Sequence, residues 1–399
     1  MTAHPPSAVR FEPVGHAPSH SPSKTYALYV HWPFCVSKCP YCDFNSHVRD
    51  HVDQIAWRDA LLKDMAHEAA RTGGGILSSI FFGGGTPSLM PPATIAAIID
   101  AASRHWVFAP GIEITMEANP NSAEAARFAA AAAAGVNRVS IGLQSLHDDA
   151  LKFLGRAHGA DEGLRAVALA QTLFDRVSFD LIYALPGQSE AEWQGDLSRA
   201  LAMGTGHLSL YQLTIEPGTR FETMVRKGDF IPADPDHGAT LYELTRDMTN
   251  AAGLPAYEIS NYARPGEESR HNLTYWRYGD YLGIGPGAHG RVHAHATRRH
   301  RKPENWMTAL AANGHGIEEE TPLPPDERVI EALMMGLRLA EGVDLADLSA
   351  RTGVDAAAAI DERAAARLEA QGLVRRDRQR LTVTPDGMLL LDGILGALL

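Results

Sequence analysis

The segment YVHWPFCVSKCPYCDFNSH, residues 29–47, holds every cysteine in a chain of 399 residues. Cys35, Cys39 and Cys42 stand at C-x3-C-x2-C spacing. An odd number of thiols cannot pair off completely as disulfides within one chain. Crowding of this kind points instead to a metal or redox site in a reducing compartment. The run that leads into them, YALYVHW, is aromatic and β-branched and reads as a strand, so the cysteines occupy the loop at its end.

That strand opens a repeat. From residue 25 to about 215, the short runs ILSSIFF, IEITMEA, RVSIGLQ, VSFDLIYAL and HLSLYQLTI alternate with longer helical patterns such as VDQIAWRDALLKDMAHEAA and the alanine-rich SAEAARFAAAAAAG. Repeated βα units predict an α/β fold with a parallel sheet and right-handed crossovers. Six strands fall short of closure, so the expectation is a partial (β/α)6 TIM-like barrel over residues 25–215. Loops at the carboxyl ends of such strands carry function, and the cysteines lie on one of them.

Residues 216–325 are less regular and read as an elaboration on the barrel, with YEISNYARPGEESRHNLTYW and the glycine-rich YLGIGPGAHG. Residues 326–399 hold a helical run, RVIEALMMGLRLA, two shorter helical patterns, the hairpin-like LVRRDRQRLTVTP and an apolar last helix. They predict a small C-terminal α+β domain resembling a winged helix. Arg375, Arg376, Arg378 and Arg380 read as charges that keep a hairpin edge soluble. Residues 1–24, rich in Pro, Ser and His without an apolar run, read as a disordered lead-in and not as a signal peptide.

Composition narrows the classes further. Apolar residues make up 45% and charged residues 21%, and no window approaches the roughly 18 consecutive apolar residues of a membrane helix. A cytoplasmic protein is expected. A net charge of -12 argues against a general polyanion binder, so nucleic acid is not an expected partner.

Three thiolates on a short loop can hold three irons of a 4Fe-4S cubane and leave the fourth iron open to a ligand. A structural zinc site completed by His31 or His47, or a set of inert thiols, are the alternatives, although closed zinc sites usually draw on two separated pairs. FFGGGTPS, residues 81–88, ends the second strand, and its glycines permit the close backbone approach needed to grip a compact zwitterion. Glu117, Gln144 and Asp180 end the next three strands, where a hydroxylated, charged ligand needs carboxylate and amide partners.

On these residues the chain resembles the radical S-adenosylmethionine superfamily over roughly residues 25–300. The resemblance implies that Cys35, Cys39 and Cys42 hold a 4Fe-4S cluster, with Tyr41 at the usual aromatic position beside the last cysteine. Its open iron would chelate S-adenosylmethionine, and an electron from it would cleave the sulfonium to a 5'-deoxyadenosyl radical. It further implies that Gly84, Gly85 and Thr86 bind the methionine part, and that Tyr29, Phe44, Glu117, Gln144, Arg156 and Asp180 complete that cofactor's site. The closest subgroup pattern is that of the oxygen-independent coproporphyrinogen III oxidases and their relatives. Two departures separate the chain from the oxidases themselves: Phe44 takes the place of a fourth cysteine, and HNLTYW, residues 271–276, matches the H-N-x-x-Y-W motif of oxidase-like heme chaperones.

The resemblance therefore implies heme as a third cofactor. His271 is the expected iron ligand, Tyr275 and Trp276 offer flat faces to a porphyrin, and His289, His293 and His295 stand near as further donors. A core histidine with packing aromatics is the alternative. The implied activity is delivery of heme to apo-hemoproteins such as respiratory enzymes, with any membrane association running through those clients. Radical decarboxylation of coproporphyrinogen III is the competing expectation.

Overall fold

The computed structural model describes residues 24–399. The lead-in expected over residues 1–24 therefore lies, apart from Lys24, outside the described residues. Six strands, β1 (Thr25–Trp32), β2 (Ile76–Gly84), β3 (Val107–Ala118), β4 (Arg138–Gln144), β5 (Arg176–Tyr183) and β6 (His207–Gln212), lie side by side in chain order, all parallel. Tyr26, Ala27, Leu28 and Val30 of β1 are fully buried, which is the pattern of a strand covered on both faces. The main crossover helices are α1 (Gln54–Thr72), α2 (Pro92–His105), α3 (Ala160–Leu173) and α4 (Glu190–Ala202).

Local chemistry sets the helix ends. Asp53 accepts from the backbone of Ile55 and Ala56 to start α1, and Gly73 in the left-handed region stops it. Ser189 and Glu192 form a reciprocal capping box at the start of α4. The alanine-rich stretch is broken into two short helices, Ser122–Ala125 and Phe128–Ala133. Glu124 turns inward there, bound by Ser88, Asn119 and Asn121, and pins the first of them to the end of the sheet.

The sheet is larger than six strands. β7 (Asn261–Ala263) pairs antiparallel with β6, and β8 (Tyr281–Ile284) adds a seventh parallel strand on the far side of β1. β9 (His289–Val292), β10 (His295–Arg299) and β11 (Ile317–Pro322) extend that edge as an antiparallel meander, giving the open order β11-β10-β9-β8-β1-β2-β3-β4-β5-β6-β7. The glycine-rich run of this less regular segment thus contains β8. Its glycine is a packing requirement, because a Cβ on Gly283 would stand 1.9 Å from the His289 carbonyl oxygen.

Between these strands lie α5 (Pro235–Ala251), α6 (Arg270–Trp276) and α7 (Pro303–Asn313). The chain ends in α8 (Pro325–Gly336), α9 (Leu345–Thr352), α10 (Glu362–Ala370) and α11 (Leu391–Leu398) around a three-stranded antiparallel sheet. Its strands are β12 (Val343–Asp344), β13 (Val374–Asp377) and β14 (Arg380–Val383), with β14 central. This part has its own core of Val329, Leu333, Leu348, Leu381 and Leu395. Of the hairpin arginines, Arg376 pairs with Glu362 and Glu369, and Arg380 with Asp344.

Candidate functional site

The cysteine loop leaves β1 through Pro33 and is closed at its base by a short parallel pairing of Phe34–Cys35 with His47–Val48. The three thiols are half-buried. Burial pushes the Cys35 and Cys42 thiols up, and hydrogen-bond donors oppose it. Thr86 Oγ1 donates to Cys35 Sγ at 3.4 Å and Arg156 Nη1 to Cys39 Sγ at 3.4 Å. Among the described residues, no three His, Cys, Asp or Glu side chains stand as a ligand set around one ion. A cubane is held differently, with each thiolate on its own iron.

The glycine loop packs directly on the strand that feeds the cysteines. Gly85 N–H donates to the Trp32 carbonyl at 2.7 Å, and Gly84, at φ +118°, donates to Glu117 Oε2 at 3.2 Å. A Cβ on Gly85 would lie 2.8 Å from the Phe34 carbonyl oxygen and 2.9 Å from that of Pro33. Gly85 is therefore required for packing against the root of the cysteine loop, a close backbone approach within the protein itself.

Partly buried polar residues stand on β3, β4 and β5: Glu117 and Gln144 lie at or next to the ends of their strands, whereas Asp180 lies within β5 and not at its end as expected. Burial and the nearby Asp180 charge push the Glu117 carboxyl up to about 8, and burial lifts Asp180 to about 6 against hydrogen bonds from Ser209 and Ser140. Gln144 sits after a β-bulge at φ +68°, a conformation costing about 1–3 kcal/mol for a non-glycine residue and typical of functional loops. Arg156 donates through Nη2 to Asn119 Oδ1 at 2.5 Å and to the Gly142 carbonyl at 3.0 Å, and through Nη1 to Tyr41 at 3.4 Å. Asn119 in turn donates to Thr86 at 3.2 Å. A continuous network thus runs from Cys39 through Arg156, Asn119 and Thr86 to Cys35. Asn119 escapes the sequence reading, although an Asn-Pro pair directly after a strand marks a turn at a functional end.

Residues 29–200 match the family model of the radical SAM superfamily, and residues 323–390 match that of the HemN C-terminal domain. A mouse protein, radical S-adenosyl methionine domain-containing protein 1, mitochondrial, is 41% identical over 98% of this chain and 91% of its own length. The chain belongs to the radical SAM superfamily. Within it the chain falls in the HemN-like group: the Escherichia coli heme chaperone HemW is 41% identical over 82% of this chain and 86% of its own length. The Mycobacterium tuberculosis heme chaperone HemW is 36% identical over 95% and 96%. The fold matches the solved E. coli coproporphyrinogen III oxidase, HemN, with a TM-score of 0.79 over 94% of this chain and 90% of that one, at 22% identity.

A radical SAM cluster fits the residues present. Two donors already aim at cysteine sulfurs, as ligated sulfurs require, and Arg156 Nε is buried without a partner. A cavity of about 720 Å³ opens beside them. Tyr29, Phe44, Gly84 and Glu117 line one part of it, and Tyr275, Trp276 and Tyr281 another. A smaller cavity of about 200 Å³ is lined by Glu117, Asp180, His207 and His271.

His271 does not line the larger cavity. It is 1% exposed, with Nδ1 at 2.9 Å from Ser79 Oγ, Nε2 at 2.5 Å from Tyr275 Oη, and its ring stacked on Phe81. Burial drives its pKa down to about 3. Both nitrogens are thus committed within the protein, so the expectation that His271 offers one to an iron does not match this arrangement. His293 and His295 lie at the β9–β10 turn, where Lys24 Nζ contacts His293 at 2.7 Å, and line neither cavity.

Proposed function

We propose that this radical SAM protein binds heme and passes it to apo-hemoproteins, respiratory enzymes among them. The observation that carries the reading is the 720 Å³ cavity, where two aromatics of the HNLTYW helix face the strand ends of the cofactor region. Large flat aromatic faces favour a porphyrin by stacking and burial. Relatives bearing the name heme chaperone HemW over most of the chain support the same reading.

In this proposal Cys35, Cys39 and Cys42 hold a 4Fe-4S cluster. Gly84, Gly85, Thr86, Tyr29, Phe44, Glu117, Gln144, Arg156 and Asp180 surround S-adenosylmethionine. When bound, the cluster supplies an electron and an open iron for the amino-acid end of that cofactor. Glu117 and Asp180 offer hydrogen-bonding partners to hydroxyls, and a nearby sulfonium would draw Glu117 toward its carboxylate form, while Arg156 and Thr86 hold the cysteine sulfurs in place. Phe44, 60% exposed on the cavity rim, stands where the oxidases have a fourth cysteine, which favours carriage over decarboxylation. A reducing compartment suits the thiols; no helix among the described residues is long and apolar enough to cross a membrane. Cytoplasmic residence is the proposal, though the mouse relative is named as mitochondrial.

Anaerobic reconstitution with iron and sulfide tests the reading. The loaded protein is expected to retain heme, to transfer it to an apo-hemoprotein, and to leave coproporphyrinogen III unchanged when reduced with S-adenosylmethionine present. Robust decarboxylation without heme transfer would replace the chaperone reading with the oxidase one. Single Cys→Ala changes at positions 35, 39 and 42 should each abolish the brown chromophore.

A further inference from the structure

Four histidines line the two cavities: His31, His207, His271 and His289. Three of them are buried with both ring nitrogens engaged. His31 contacts Tyr29 Oη at 3.1 Å and the Asn45 carbonyl at 2.9 Å, His207 contacts Ser178 at 2.7 Å and Tyr257 at 3.0 Å, and His271 contacts Ser79 and Tyr275. His289, at the start of β9, is exposed to the larger cavity, and its ring nitrogens have no hydrogen-bond partner among the described residues. Resting on the heme-carrier reading above, we infer that His289 is the axial ligand of the heme iron and that Arg301 takes a heme propionate.

The guanidiniums of the cavity sort in the same way. Arg291 lies 3.4 Å above the Tyr278 ring and donates to the Gly279 carbonyl, and Arg298 pairs with Glu318 and Glu319. Arg301, on the same rim, has no ion pair among the described residues and is exposed. A carboxylate bound there gains a charge-assisted contact without breaking an existing one. Trp276 and Tyr281 line the same cavity and give the macrocycle its flat wall. A neutral imidazole and a free guanidinium on opposite chemical duties are what a dicarboxylate metalloporphyrin needs. In this scheme the HNLTYW helix shapes the wall: Tyr275 and Trp276 face the cavity while His271 anchors Tyr275 from below through the hydrogen bond between them.

The test titrates hemin into the full-length, cluster-loaded protein and reads difference spectra against the same protein without hemin. His289→Ala is expected to shift the Soret band and weaken retention roughly tenfold or more, the scale on which a metal site loses affinity when its ligation is disturbed. His289→Cys should give the Soret signature of thiolate ligation, a positive readout that misfolding cannot mimic. His271→Ala should keep the wild-type Soret position whatever it does to stability. Arg301→Glu should weaken binding of hemin and leave that of its dimethyl ester unchanged. If wild type retains hemin and His289→Ala matches it in band position and affinity, the assignment falls, and a Soret shift in His271→Ala alone would return the ligand to the HNLTYW motif. If wild type retains no hemin, the heme-carrier reading itself fails.

Discussion

The partly buried carboxyl of Glu117 would link cofactor binding to pH. In the fold, burial and the Asp180 charge push its carboxyl up to about 8, whereas unfolded it has an ordinary carboxylate value. A folded pKa above the unfolded one gives a contribution that is complete below the unfolded value and is lost as pH rises through about 8. Thermal unfolding of the ligand-free protein should therefore show stability falling between about pH 4.5 and 8, and Glu117→Gln should flatten that fall. A sulfonium nearby favours the carboxylate, so affinity for S-adenosylmethionine should rise over the same window in wild type and lose that rise in the variant. Affinity in wild type that is indifferent to pH would separate Glu117 from the cofactor. Gly85→Ala tests the neighbouring loop: because its Cβ would meet the Pro33 and Phe34 backbone, iron content should drop together with cofactor binding. Full iron loading with cofactor binding alone impaired would mean that Gly85 faces the ligand after all.

At the scale of elements, legibility follows burial. Strands β1 to β6 stand out in the sequence because each carries a short run rich in aromatic and β-branched residues, most of them buried in the shared core. β8 is hidden in a glycine-rich, irregular stretch, and the reason for its glycine, the carbonyl of His289 against Gly283, is a contact between strands that no local pattern reveals. The partners of His271 are silent for a related reason: a motif names a residue but not which way its ring nitrogens are committed. The clamp joining α1 to β10 is equally silent in sequence. Arg299, fully buried, donates from Nε to Asp64 at 2.8 Å and from Nη2 to Glu68 at 2.7 Å, and Asp64 also accepts from the backbone of Gly285 and Gly316. Asp64→Ala leaves the guanidinium under-compensated in the core and should cost about 3–5 kcal/mol in urea unfolding. A loss below about 1 kcal/mol, the range of an exposed pair, would show that the clamp is solvated.

Over the whole molecule, the C-terminal domain is built into the wall of the cavity. Tyr278, two residues past α6, inserts into the C-terminal core and hydrogen-bonds to Glu331 of α8, while α8 contributes Met335 to the cavity. Arg277 grips Glu341 through two bonds of 2.7 and 2.8 Å, and the Ala340 N–H donates to the Tyr257 carbonyl at 3.0 Å. The helix that carries HNLTYW is thus held between sheet and C-terminal domain, and its orientation depends on both. The cysteine loop, by contrast, rests on β1 and the glycine loop, away from these contacts. Tyr278→Ala removes a large buried ring at the junction, which in a core costs on the order of 3–5 kcal/mol for an aromatic truncated to alanine. The expected outcome is selective: hemin retention falls, while iron per chain and S-adenosylmethionine affinity after reconstitution stay at wild-type levels. Equal losses of all three would mean that the C-terminal domain supports the fold as a whole, whereas an isolated loss of hemin would locate its contribution in the heme wall that α6 and α8 build together.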